Sequence, residues 1–145
     1  MAFYTATISS PLSQTEAWTR LSDVCRFVEW DPGVVAAEKV EDSGEGPDAS
    51  YILTVKGFRR NSTLDLRYDM VHFAPVERFI MVADTGTIRS EDEVVVSSTS
   101  TGCDVTYRAE LTLQGRAAVF QPLMGLVFKR IGDRAAAGLR EFLEA

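Results

Sequence analysis

The chain is poor in the residues that build metal and redox sites. Its 145 residues include one histidine, His72, and two cysteines, Cys25 and Cys103. A zinc site would have to draw its ligands from those scattered positions, so no metal is expected. The cysteines lack a CxxC spacing, and a lone pair defines no disulfide framework. Both are expected to be buried thiols in a reducing compartment. Positive charge is also short: the formal net charge is −6. Phosphate-rich partners need a basic surface, which excludes nucleic acid and disfavours an anionic membrane surface. No apolar run approaches the ~20 residues of a membrane span, so no integral membrane segment is expected. The opening MAFYTATISS lacks the basic start and apolar block of a secretion signal, which points to the cytoplasm. There is no GxSxG, no phosphate-cradling glycine loop and no pair of catalytic carboxylates. No cofactor is expected.

What is present suits one globular domain over residues 1–145. Apolar content of 46% is enough for a single sizeable core at this length. Residues 2–9 carry strand-favouring Phe, Tyr, Thr and Ile. Ser13-Gln14-Thr15-Glu16 forms a capping box, predicting a short helix with Ala17, Trp18 and Leu21 on one face. Ser22-Asp23 is expected to cap a second short helix, ended by Trp30-Asp31-Pro32-Gly33. Strands follow at 34–40, 50–56, 63–73, 78–83, 87–97 and 103–113. A polar loop at 42–48 separates the first two, and residues 57–61 read as a hairpin connection. In the 63–73 strand Leu64, Leu66, Tyr68, Met70 and His72 share one face, opposite Asp65, Arg67 and Asp69. That is the pattern of an antiparallel sheet with one wet side.

From Ala117 to Ala145, apolar residues recur every three or four positions: Phe120, Leu123, Met124, Val127, Phe128, Ile131, Ala135, Leu139 and Phe142. The period predicts one long amphipathic helix. Arriving after a whole sheet, it must lay that stripe on the sheet. Pro122 suits its first turn.

The order of elements and several strings resemble the START-like helix-grip (SRPBCC) superfamily. It includes the birch-pollen allergen fold and the polyketide cyclase/dehydrase and lipid-transport proteins. The strings are the capped helix leading to Trp30-Asp31-Pro32, the strand through Leu66, Tyr68 and Met70, Gly102-Cys103-Asp104-Val105-Thr106-Tyr107, and Arg130-Ile131-Gly132-Asp133 with Gly138-Leu139. The resemblance covers essentially the whole chain. It implies an α+β helix-grip fold: a curved antiparallel sheet of about seven strands around a long C-terminal helix, with two short helices after the first strand. It also implies a hydrophobic cavity between sheet and helix, of roughly 300–1,000 Å³ if it holds a ligand.

Inward aromatic and sulfur side chains are the candidate lining. On the strands these are Tyr51, Leu53, Leu66, Tyr68, Met70, Phe79, Met81 and Tyr107. Trp30 joins them from the turn, and Phe120, Met124, Gly125 and Phe128 from the last helix. Tyrosines there need hydroxyl partners, which a dry core would avoid by using Phe. Plain core is the competing account of each residue taken alone. The catalytic candidates are His72 and Asp92. His72 shares parity with Met70 but lies at a strand end, where a solvated rim is the favoured reading. Glu91, Asp92 and Glu93 sit together, so alternation sends at least one inward unless the strand starts later, near Val94. The later start, with all three exposed, is favoured. Gly132 is read as close packing and Gly125 as a ligand contact.

Three functions stay open. The first is binding, with possible transport, of a small hydrophobic molecule such as a lipid, polyisoprenoid or polyketide. The second is a polyketide cyclase or dehydratase with an acid or base in the same cavity. The third is a partner-binding module with a vestigial pocket, marked by an exposed apolar patch or a stable dimer. The protein is expected as a monomer or homodimer.

Overall fold

Alternating apolar and polar positions become seven antiparallel strands in a computed structural model that describes residues 1–57 and 59–144. They are β1 (Ala2–Ser10), β2 (Val34–Lys39), β3 (Ser50–Lys56), β4 (Thr63–Ala74), β5 (Arg78–Asp84), β6 (Ile88–Thr99) and β7 (Gly102–Leu113). The sheet order is β1-β7-β6-β5-β4-β3-β2, curled into a half-barrel. The first two strands therefore form opposite edges. The chain crosses between them through α1 (Gln14–Leu21), a 3₁₀ turn (Val24–Arg26) and the single-turn α2 (Phe27–Trp30). The long helix α3 (Gln121–Phe142) follows β7 and lies along β1. This is the expected α+β helix-grip fold.

Antiparallel pairing sorts the connections into two ends. The β3–β4 connection, the β5–β6 turn at Thr85–Thr87 and the start of α3 share one end. The 40–49 loop, the β4–β5 turn and the C-terminus of α3 share the other. Phe58, within the expected 57–61 connection, and Ala145, at the end of the expected helix, lie outside the described residues.

Several local expectations need correction. Ser13 does cap α1, accepting from the Glu16 N–H at 3.1 Å, but Glu16 takes the Ser13 hydroxyl instead of the backbone N–H. Asp23 makes no side-chain cap. The last helix does not start at Ala117: residues Gly115–Phe120 form a 3₁₀ turn first. Strand β6 starts at Ile88, so alternation already governs residues 88–96 and the favoured later start is overturned.

Close approach at two glycines seats α3. A Cβ on Gly132 would fall 2.3 Å from the Tyr4 ring, and one on Gly138 would fall 1.9 Å from the Trp30 carbonyl oxygen. Tyr4 also donates to Asp133 Oδ1 at 2.9 Å. At its far end, the buried Ser10 hydroxyl donates to the Leu143 carbonyl at 2.6 Å. The stripe on α3 is only half used. Met124, Ala135 and Leu139 are buried, while Phe120, Leu123, Val127 and Ile131 are exposed. Because α3 runs along the β1 edge, the sector holding those four finds no sheet beneath it.

Candidate functional site

The sheet's concave face carries a line of polar groups in an otherwise apolar core. On β6 the inward positions are Ile88, Ser90, Asp92, Val94 and Val96, all buried. Asp92 is 7% exposed, so the favoured reading of an exposed carboxylate is wrong. Its neighbours in register are Met81 on β5 and Ala109 on β7. Those of Ser90 are Ala83 and Leu111. Alanines beside both polar residues leave room for longer side chains to reach across. Tyr68, opposite Ala83, donates over it to Ser90 Oγ at 2.9 Å. Tyr107, diagonal to Asp92, donates to Asp92 Oδ1 at 3.4 Å. Trp30 stands edge-on to Tyr107, with ring centroids 5.4 Å apart. Its indole N–H is buried with no acceptor among the described residues.

Electrostatics follow from that burial. Removal from water pushes the Asp92 carboxyl up to about 7, and the nearby Asp31 carboxylate pushes the same way. The Tyr107 hydrogen bond opposes this by favouring the charged form. Asp31 is raised too, chiefly by desolvation, while the Gly33 N–H at 2.9 Å and Lys56 hold it down. Burial and Asp92 push both Tyr68 and Tyr107 well above an ordinary phenol, so both act as donors. A carboxyl poised near neutrality between two tyrosines and a second carboxylate can accept or release a proton, or orient a polar ligand group.

Of the sequence candidates, Trp30, Leu53, Leu66, Tyr68, Met70, Phe79, Met81 and Tyr107 join one buried cluster, with Tyr51 and Phe128 packed at its margin. Met124 belongs to a second cluster with Ala2, Ile88, Leu111 and Leu113, and Phe128 also packs against that one. Phe120 is 60% exposed and does not meet the sheet's inner face. Gly125 is exposed, with nothing within 4 Å of its Cβ position.

His72 faces solvent, because a bulge between Met70 and His72 shifts the register. His72 then pairs with Ile80, and Phe73 takes the inward position opposite Phe79. The shared parity of His72 with Met70 was thus broken by one extra residue. Ser90 and Asp31 were missed as site residues. Ser90 was findable, sharing parity with Asp92; Asp31 read only as a turn residue.

Phe79, Met81, Val94 and Val105, on the concave face, are fully buried. Two surface depressions lie elsewhere. One, of about 440 Å³, sits on the outer face of α3 between Leu126, Arg130 and Arg134. The other, of about 560 Å³, sits at the β3–β4 connection.

A family described as polyketide cyclase / dehydrase and lipid transport matches residues 1–144. The chain belongs to that family. No curated protein matches it significantly. Among solved structures, it is similar to the Zhui aromatase/cyclase from Streptomyces sp. R1128, with 12% identity, a TM-score of 0.72 and coverage of 97% of this chain and 90% of that one. A protein from Thermus thermophilus superposes with a TM-score of 0.76 and 14% identity, covering 98% of this chain and 95% of that one. The di-domain ARO/CYC StfQ from the steffimycin biosynthetic pathway gives 0.70 and 12%, with 98% of this chain covered. This chain spans 50% of StfQ's length. At these identities the likeness establishes the helix-grip fold alone.

Proposed function

We propose that the protein binds a small, largely apolar molecule that carries at least one hydroxyl or keto group, in the concave face around Asp92. The observation that carries this reading is the inward Asp92 with its Tyr107 partner, in a core that would otherwise be apolar. Burying a carboxyl costs free energy that a single long hydrogen bond of 3.4 Å offsets only in part. Trp30 supports the reading with a buried donor that has no partner among the described residues. Apolar burial would supply most of the affinity, at ~25 cal/mol per Å², and the polar groups the orientation. Met70 and Met81 are the adaptable side chains that would shift to admit the ligand.

Native mass spectrometry against flat polycyclic phenols, prenyl alcohols and fatty acids tests this. A one-to-one complex with a member of the panel, weakened by Tyr107→Phe and Asp92→Asn, is the expected outcome. Failure of all three ligand classes to bind would sink the reading.

One observation favours a second reading, a cyclase- or dehydratase-type enzyme: the Asp92 carboxyl stands near 7, where a general acid or base works best. Turnover of a bound polyketide that Asp92→Asn abolishes without loss of binding would establish it. Binding without any chemical change would leave the protein a carrier. A cytoplasmic carrier or enzyme agrees with the absence, among the described residues, of a helix long and apolar enough to cross a membrane.

A further inference from the structure

The exposed part of α3 belongs to a larger surface. Val119, Phe120, Leu123 and Leu126 are 60–78% exposed, at and just beyond the start of the helix. Strand pairing puts the β3–β4 connection at this same end of the sheet. Val35 at the start of β2 and Leu64 at the start of β4 add exposed apolar groups there. Single exposed apolar residues are ordinary, but a group gathered at one end marks an interaction surface.

Charge says what that surface fits. Lys56, Arg59, Arg60 and Arg116 lie at this end, against Asp84 at the β5–β6 turn, the exposed Asp65 near the start of β4, and Asp31, whose carboxylate faces Lys56. Lys56, Arg59 and Arg60 also line the depression of about 560 Å³. At the opposite end the 40–49 loop carries Glu41, Asp42, Glu45 and Asp48. The acidic net charge therefore hides a polarised molecule. A second copy of this chain docking through the same face would bring arginine against arginine, which like-charge repulsion opposes. Exposed Phe, Leu and Val beside Lys and Arg fit an anionic lipid bilayer, whose interior takes the apolar side chains and whose headgroups take the cations.

We infer that this end of the protein docks onto anionic membrane surfaces, with the start of α3 entering the interface and Arg59 and Arg60 on the headgroups. The docking surface needs no ligand in the interior, and it holds whether the protein is a carrier or an enzyme. Net charge alone does not decide this, because the field near a surface depends on the nearest charges within a Debye length.

Co-sedimentation with vesicles tests it, using phosphatidylcholine alone and an equimolar mixture of phosphatidylcholine and phosphatidylglycerol. The protein should sediment with the mixed vesicles, less so as salt rises, and remain in solution with phosphatidylcholine. Each basic residue near an anionic surface contributes roughly fivefold in affinity, so Arg59→Glu with Arg60→Glu should lower binding at least ~20-fold. Leu123→Glu with Leu126→Glu should abolish it. All four positions are exposed, so the melting temperature should stay at the wild-type value, and Glu41→Lys at the far end should not weaken binding. Equal sedimentation with both vesicle types, no sedimentation at all, or unchanged binding in the variants would overturn the proposal. So would a stable dimer in light scattering that Leu123→Glu with Leu126→Glu dissolves, since the apolar face would then be a contact between copies.

Discussion

Tyr107 donates its hydroxyl to Asp92 across the β6–β7 pair, at 3.4 Å, inside the sheet's concave face. The pair joins a permanent donor to a carboxyl near neutrality, and both are buried. It makes stability depend on pH in a direction unusual for an aspartate.

The folded carboxyl stands at about 7, against about 3.9 in an unfolded chain. Between those values the folded state holds a proton that the unfolded state has lost. Stability from this group is therefore full below pH ~4 and falls as pH rises to ~7, by up to ~1.4 kcal/mol per pH unit. Above ~7 the two states carry the same charge and the loss stops. Asp92→Asn should remove this falling limb and make the protein more stable than wild type at pH 8. Denaturant melts across the pH range measure it; a variant with the wild-type slope would contradict the assignment.

Neighbours should move that titration in opposite directions. Asp31→Asn removes a carboxylate that raises Asp92, so the carboxyl should titrate lower. Tyr107→Phe removes a hydrogen bond that favours the ionised form, so it should titrate higher. Carboxyl carbon chemical shifts followed against pH would show both.

Two glycines in one helix should respond oppositely to alanine. Gly125 faces open space, so Gly125→Ala should stabilise the protein by about 0.5–1 kcal/mol through helix propensity. At Gly138 the new methyl would strike the Trp30 backbone carbonyl, which cannot swing aside. Gly138→Ala should cost about 1–3 kcal/mol net. Equal melting temperatures for the two variants would refute the close approach of α3 to α2.

Ser10 ties β1 to the end of α3, accepting from the Leu12 N–H at 3.1 Å as it donates to Leu143. Ser10→Ala leaves both backbone groups without that partner, at a cost of about 1–3 kcal/mol. Faster hydrogen exchange at the C-terminal turns of α3 should accompany the loss.

Much of this molecule was legible in the chain itself. Period-two alternation along residues 103–113 and 50–56, the Ser13 cap and the long helical stripe fix the elements, because side-chain burial imposes its period on local sequence. The same alternation held the inward Asp92 and Ser90, given the right start for β6. Three things only the tertiary structure decided. A one-residue bulge turned His72 outward, since an unpaired residue reverses the facing of every side chain beyond it. The glycine approaches placed α3 along β1, so one sector of the stripe has no sheet to cover it and its apolar residues remain in solvent. Antiparallel pairing then gathered Arg59, Arg60 and Arg116 at one end. A composition sums charge over the whole chain, whereas a partner meets only the charges that folding has brought together.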